Sequence, residues 1–286
     1  MTRRIPAIWL VLAGIVSVQF GAAVAKDLFD RISPTTLVWL RLATSAVFLG
    51  LLARPVLRGR SRQDWLVVVG FGLSLGVMNW AIYQSFARIP IGIAVTIEFI
   101  GPLAIAVIGS RRARDLAWVG FAGAGVVLLG LEPGGVTAAG VGYAVLAGAA
   151  WAAYILLSAS TGARWPGLDG LAVASVIAAA MLTPYALARG ASDLGNVEVL
   201  LLGAMVGLLS SVVPYSFEMV ALRTIRPAVF GILMSLEPAA AALAALLLLG
   251  EYLEPLQWLA MACVVAASVG ATRSGAGVEH SEPAPD

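Results

Sequence analysis

The sequence predicts an all-α membrane protein with ten transmembrane helices, built as two inverted five-helix repeats. Three observations predict it: the composition, the spacing of the apolar runs, and the alternation of positive charge between successive loops. Of 286 residues, 60% are apolar and 12% charged, against roughly 45–50% and about 25% in an ordinary soluble domain. A chain this apolar cannot cover its own surface with polar groups, so lipid must be the solvent for most of it.

Breaks at Gly, Pro and charge clusters divide the chain into apolar runs near 6–26, 35–53, 65–86, 90–109, 115–131, 138–158, 168–188, 197–220, 227–249 and 254–271. About 20 residues span a bilayer core as a helix, and the runs fit that length. Barrel strands would instead alternate polar and apolar residues over about ten positions. The first run follows Arg3 and Arg4 and ends in small residues, as a signal peptide does. It is longer than the roughly 7–15 residues of such an apolar region, so it is read as a retained first helix.

The charge pattern gives a sidedness. With a cytoplasmic N-terminus, one set of loops and tails holds Arg3, Arg4, Arg54, Arg58, Arg60, Arg62, Arg111, Arg112, Arg114, Arg164, Arg223, Arg226 and Arg273. The opposite set holds only Lys26, Arg31, Arg88 and Arg189. Cytoplasmic loops are the ones enriched in Lys and Arg, so both termini are expected in the cytoplasm, with a disordered polar tail over 274–286. Loop charge of this kind is no sign of nucleic-acid binding, since no aromatic–basic interleaving accompanies it.

The chain also repeats itself. Pro90, Gly92-x5-Glu98 and Pro102 are followed by a charged break and a run closing at Gly130. Pro227, Gly231-x5-Glu237 and Pro238 are followed by a second break and a run closing at Gly270. This divides the chain into repeats at 1–131 and 138–271. An odd number of helices per repeat makes the second copy enter the membrane from the opposite side, an arrangement in which the binding site lies between the halves near mid-bilayer. The plainer reading, that Gly-rich apolar helices resemble one another by composition, stays open.

Ionisable groups at membrane depth are costly and need a reason. Arg41, Glu98, Glu218 and Glu237 fall deep inside runs, and Lys26 lies at the outer end of the first. Helical spacing groups polar residues into stripes: Gln19 with Lys26, Asn79 with Tyr83, Tyr154 with Ser158, and Tyr215 with Glu218. Stripes facing lipid would be expensive, so they are expected to line a shared cavity. Pro102 and Pro238 stand beside the glutamates and are expected to unwind the helix there. A glutamate so placed can exchange a proton as it meets and leaves water, or can simply bond a neighbouring helix. Arg41 is either a structural counter-ion or a binder of a carboxylate, and Lys26 either snorkels outward or meets the substrate. The glycine pairs Gly72/Gly76 and Gly203/Gly207 permit close helix contact within the bundle.

One cysteine, Cys263, and one histidine, His280, exclude an internal disulfide and a His/Cys metal site. No H-E-x-x-H zinc motif and no phosphate-binding G-x-x-x-x-G-K-[ST] occurs. The reading is therefore of a non-enzyme without cofactor or metal, whose partners are a small solute, protons and the lipid bilayer.

Several segments resemble one family. Val18–Phe29, Leu40–Ala43, Pro90–Ala104, Ala150–Leu156, Pro214–Met219 and Gly231–Ala240 are similar to the drug/metabolite transporter superfamily, in particular its EamA-type ten-helix exporters and their amino-acid-exporting subgroup. The likeness runs from about residue 8 to 271 and is thin over the seventh run, 159–168 and 189–197. It implies a bacterial cytoplasmic-membrane exporter of small amino acids of the threonine/homoserine kind, or of related metabolites, working by proton exchange. Export of a drug, nucleoside or aromatic amino acid on the same fold is the alternative. A membrane enzyme or an assembly factor is a third reading, which the missing motifs and the repeat oppose.

Overall fold

The structure is a computed structural model that describes residues 7–110, 116–130, 136–221 and 227–276. Among them every regular element is helical. The helices are α1 (Ala7–Asp27), α2 (Pro34–Ala53), α3 (Arg62–Phe86), α4 (Ile91–Glu98), α5 (Ile100–Ser110), α6 (Leu116–Gly130), α7 (Ala138–Gly162) and α8 (Asp169–Arg189). They continue with the short α9 (Ala191–Leu194), then α10 (Val197–Gly207), α11 (Val213–Ala221), α12 (Pro227–Met234), α13 (Glu237–Leu249) and α14 (Pro255–Ala276).

Each apolar run is thus helical, with ends displaced by a few residues. Six segments are long and apolar enough to cross a membrane: 7–30, 34–53, 62–86, 138–162, 169–189 and 229–249. The surface is apolar in keeping with that. Val47, Leu51, Ile108, Leu201 and Leu247 are each more than 60% exposed, a burden of bare hydrocarbon that water would not tolerate.

The helix ends follow from sequence. Ser33 caps α2 by accepting from Thr36 N–H at 3.1 Å, with Pro34 in the first turn where its missing N–H costs nothing. Ser61 and Asp64 form a reciprocal capping box at the start of α3. Thr137 and Asn196 cap α7 and α10, and Gly250, in the left-handed region at φ 64°, ends α13.

The loops gather at two ends of the bundle. At one, Arg60 pairs with Asp169 at 3.7 Å and donates to Arg164 O, while Arg164 pairs with Asp64 at 3.3 Å. At the other, Lys26 pairs with Glu251, and Arg31 approaches Glu198 at 3.5 Å. Alternate loops share an end, as the charge pattern requires.

Three runs are not single helices. The run 90–109 breaks at Phe99 between α4 and α5, and 227–249 breaks at Ser235–Leu236 between α12 and α13. The prolines expected to cause these breaks stand just after them: Pro102 in the first turn of α5, Pro238 at the second residue of α13. The third run, 197–220, loosens into a π-turn over Leu208–Val212 between α10 and α11, which spacing alone did not suggest.

Small residues bring these irregular segments close to their neighbours. A β-carbon at Gly101 would collide with the carbonyl oxygen of Gly148 on α7, and one at Gly148 would lie 2.7 Å from the carbonyl oxygen of Glu98. At Gly92 it would lie 2.8 Å from Ala242 on α13. The expected glycine pairs act within the bundle too: Gly72 and Gly76 face Ile177 and Met181 of α8, and Gly203 and Gly207 face Leu40 and Thr44 of α2.

The crossing at Gly101 generates a stability prediction. Gly101→Val puts branched carbon against backbone that cannot yield, and overpacking of this kind costs about 1–3 kcal/mol. A melting temperature several degrees below wild type in detergent is expected. Gly120→Ala, where nothing lies within 4 Å of the added carbon, should match wild type.

Candidate functional site

Carbonyls released by helix irregularities are the starting point. In an α-helix Leu209 O would accept from Val213 N–H, and Ser210 O from residue 214. In the π-turn Val213 N–H instead bonds Leu208 O, and Pro214 has no N–H to give. Two carbonyls are therefore left without their helical donors, inside a membrane protein where water cannot serve them. Side chains from two other helices supply the bonds: Ser17 Oγ on α1 donates to Leu209 O at 2.7 Å, and Arg41 Nη2 on α2 donates to Ser210 O at 2.9 Å. Arg41 Nε also donates to Ser211 Oγ at 3.2 Å, and Nη1 to Tyr83 Oη at 3.4 Å.

This junction forms one wall of a cavity of about 440 Å³. Gln19, Arg41, Asn79, Glu98, Tyr154 and Glu237 line it, together with Pro102, Trp151, Ser210, Pro214, Phe230 and Ser268. Six of the ten expected site residues are thus brought together. Glu98 closes α4 and Glu237 opens α13, so both carboxyl groups sit where a helix is interrupted. Glu98 is 8% exposed and faces the charge of Arg41 without touching it. Asn79 donates from Nδ2 to Leu75 O at 2.8 Å, back onto its own helix. Trp151 stacks edge-on against Phe99, and Tyr154 packs on Phe71.

Two expected cavity residues lie elsewhere. Tyr83 is fully buried behind Arg41 and orients that guanidinium rather than lining the hollow. Lys26 shares a helix face with Gln19 but stands two turns further on, at the end of α1. There its ammonium donates to Ile89 O at 2.9 Å and pairs with Glu251, whose other oxygen accepts from Ile91 N–H at 3.0 Å. The knot joins α1, the approach to α4 and the loop after α13. Lys26 and Glu251 also belong to a second hollow of about 680 Å³ with Asp27, Asp30 and Arg88, and no described residue lines both hollows. The side chains of Tyr215 and Glu218 lie outside the described residues. Pro238 is buried at the start of α13 and does not line the cavity.

Sequence reasoning missed Ser210 and Ser211, whose signal was a serine pair followed within one turn by Pro214 in an apolar run. It also missed Glu251, which lies in the second break, between the runs 227–249 and 254–271. One enzyme-like pattern is present, Gly72-Leu73-Ser74-Leu75-Gly76, which has the G-x-S-x-G spacing of a hydrolase nucleophile turn. It lies within unbroken α3, and Ser74 Oγ donates to Phe71 O at 2.8 Å. The strained strand-to-helix turn that would activate such a serine is not there.

The EamA-like transporter family matches the chain twice, over residues 5–131 and 138–273. The chain belongs to that family. It is a multi-pass membrane protein and a transporter-family member, not a member of an enzyme family. Among its relatives, the threonine/homoserine exporter RhtA of Salmonella typhimurium (strain LT2) is 39% identical over 95% of this chain and 94% of its own length. RhtA of Escherichia coli (strain K12) is 39% identical over 94% and 93%. A solved crystal structure with 19% identity shares the fold at a TM-score of 0.64, covering 95% of this chain and 99% of its own.

The Lys26–Glu251 knot predicts an unusual mutational result. Each side chain binds the other and also a backbone group, a carbonyl for Lys26 and an N–H for Glu251. Exchanging them, Lys26→Glu with Glu251→Lys, restores the ion pair but sets an acceptor against a carbonyl and a donor against an N–H. Glu251→Ala should speed labelling of a cysteine at Asn79 from the Lys26 end roughly fivefold, as for a lost bond of about 1 kcal/mol. The exchange should fail to slow it again. Labelling by an impermeant maleimide in a Cys263→Ser background checks this.

Proposed function

We propose that this chain is a secondary active transporter that exports small amino acids of the threonine/homoserine kind, or related metabolites, across the bacterial inner membrane by proton antiport. The observation that carries the reading is the pairing of Arg41 and Glu98 across the cavity. A guanidinium has five N–H donors, and three of those on Arg41 are engaged, leaving one on each terminal nitrogen. That remaining fork suits a carboxylate. The Glu98 carboxylate has no hydrogen-bond partner among the described residues and suits an ammonium. Together they present the two complements of an amino-acid zwitterion, inside relatives' sequence that is 39% identical almost end to end.

The two repeats, 1–131 and 138–271, are read as inverted copies carrying ten crossings in all, with both termini in the cytoplasm. Support comes from the double family match and from contacts that exchange under the repeat. Gly72/Gly76 of the third crossing pack on the seventh, while Gly203/Gly207 of the eighth pack on the second. Thr96 Oγ1 donates to Gly92 O at 2.6 Å two residues before Glu98, and Ser235 Oγ donates to Gly231 O at 3.0 Å two residues before Glu237. In this arrangement the Lys26–Glu251 knot closes the outer end of the cavity. The hollow reaches the other way, to Phe230 in the first turn of α12, so substrate loads from the cytoplasm. Glu98 gives up its proton to one side and regains it from the other. A second cargo class, aromatic or cationic solutes, is favoured by Trp151 and Tyr154 in the wall.

Flux in reconstituted vesicles with an imposed pH gradient tests these statements. Labelled threonine and homoserine should move in the wild type, and Glu98→Gln should lower gradient-driven flux by tenfold or more. Full proton-driven export by Glu98→Gln would remove the coupling role, and movement of drugs without any amino acid would transfer the protein to the second cargo class.

A further inference from the structure

We infer that the loop between α2 and α3, together with Arg62 at the start of α3, is a docking surface for the phosphate headgroups of anionic phospholipids. The inference concerns the bilayer rather than the cargo, so it stands apart from the transport reaction proposed above.

Four arginines fall within nine residues here, Arg54, Arg58, Arg60 and Arg62, and the structure divides them into two kinds. Arg60 is turned inward. Its Nε donates to Val56 O and its Nη1 to Arg164 O, each at 3.1 Å. The same guanidinium lies over the Trp165 ring, 4.3 Å from its centre, and pairs with Asp169. Val56 N–H also donates to Asp169 Oδ2 at 3.3 Å, so the loop is held in one shape. Arg54, Arg58 and Arg62 are exposed, and none of their guanidinium groups has a hydrogen bond or ion pair among the described residues. Nothing nearby neutralises them. Asp64 is engaged by Arg164 and the Ser61 N–H, and Asp169 by Arg60. At the other end of the bundle the pattern is reversed, since Lys26, Arg31 and Arg88 each meet a carboxylate or a carbonyl.

The same loop carries bare hydrocarbon. Val56 and Leu57 are 62% and 49% exposed, and they follow a helix whose last turn is also bare at Leu51 and Leu52. Arginine beside exposed aliphatic carbon suits the boundary of a bilayer, where the guanidinium reaches phosphate while the apolar groups enter the acyl region. Basic segments next to a membrane-spanning helix are drawn to anionic lipid, by roughly fivefold in affinity for each Lys or Arg. Guanidinium also matches phosphate with two parallel hydrogen bonds. A water-soluble phosphate would use the arginines and gain nothing from Val56 and Leu57. The pairing of the two kinds of side chain in one fixed loop therefore assigns the occupant as lipid.

The test titrates phosphatidylglycerol or phosphatidylcholine onto the full chain in a non-ionic detergent, with bound lipid counted by native mass spectrometry. Wild type is expected to bind phosphatidylglycerol roughly tenfold or more tightly than phosphatidylcholine. Arg54→Gln with Arg58→Gln and Arg62→Gln should lose most of that preference. A control that removes three arginines elsewhere, Arg3→Gln with Arg4→Gln and Arg273→Gln, should keep it. Val56→Ser with Leu57→Ser should weaken phosphatidylglycerol binding severalfold, and excess inorganic phosphate should not displace the lipid. No preference in wild type, or an unchanged one in the loop variant, overturns the inference. An equal loss in the control overturns it too, by making net charge the cause. Displacement by inorganic phosphate, or binding untouched by the Val56 and Leu57 changes, gives the arginines to a soluble phosphate and overturns the lipid. If the triple variant does not fold, as read by melting temperature, Arg58→Gln alone decides, with an expected loss of roughly fivefold.

Discussion

A carbonyl oxygen inside a membrane must find its donor within the protein, and the arrangement around the cavity depends on how that rule is met where the helices are interrupted. The π-turn and Pro214 together strip helical donors from Leu209 O and Ser210 O. Ser17 and Arg41 replace them. The consequence is architectural as well as local. A guanidinium is drawn to membrane depth by a backbone need, α1 and α2 are tied to the irregular segment, and Ser211 and Tyr83 fix the orientation of the group so recruited. A straight helix over 197–220 would return Leu209 O to Val213 N–H, but Pro214 would still leave Ser210 O to Arg41.

The other two interruptions solve the same problem by proximity. At Phe99 and at Ser235–Leu236 the chain turns off its helical path, and prolines immediately afterwards keep the ladder from closing. Gly101 and Gly148 let α5 and α7 touch backbone to backbone, and Gly92 lets α4 lie on α13. Hydroxyls at Thr96 and Ser235 bond the carbonyls one turn behind them. A carboxylate follows each hydroxyl by two residues, so Glu98 and Glu237 enter the cavity from helix ends rather than from helix sides. A helix end can shift with less disruption than the middle of a helix, which suits groups proposed to meet substrate or protons in turn.

Much of this was legible in the sequence, for identifiable reasons. Run lengths and loop charges obey one-dimensional rules, so the helices and the gathering of alternate loops at two ends could be read directly. The cavity residues Gln19, Arg41, Asn79, Glu98, Tyr154 and Glu237 were legible because polar groups stand out against hydrocarbon. What was not legible was depth along a shared face. Gln19 and Lys26 obey the same helical spacing, yet one lies in the cavity and the other at the end of α1, in the knot with Glu251. Tyr83 likewise has the right face but the wrong layer, because Arg41 stands in front of it. The π-turn was invisible since an extra residue per turn leaves apolar periodicity nearly intact over so short a stretch.

Arg41 and Glu98 face one another without a direct bond. If their task were only to hold the bundle together, contact would serve better, and an apolar pair of similar volume would often serve better still. Keeping two opposite charges apart across a hollow in a greasy interior is costly unless something bridges them. A zwitterion bridges them with its own two charges while adding none, so binding relieves both sites together. The separation supports the proposed cargo, which carries both signs a few atoms apart, and under that proposal an empty transporter has an electrostatic reason to take in either substrate or a proton before it changes its opening. The proton exchange proposed above is that alternation: the carboxylate proposed to hold the ammonium is neutralised by a proton when the ammonium has left.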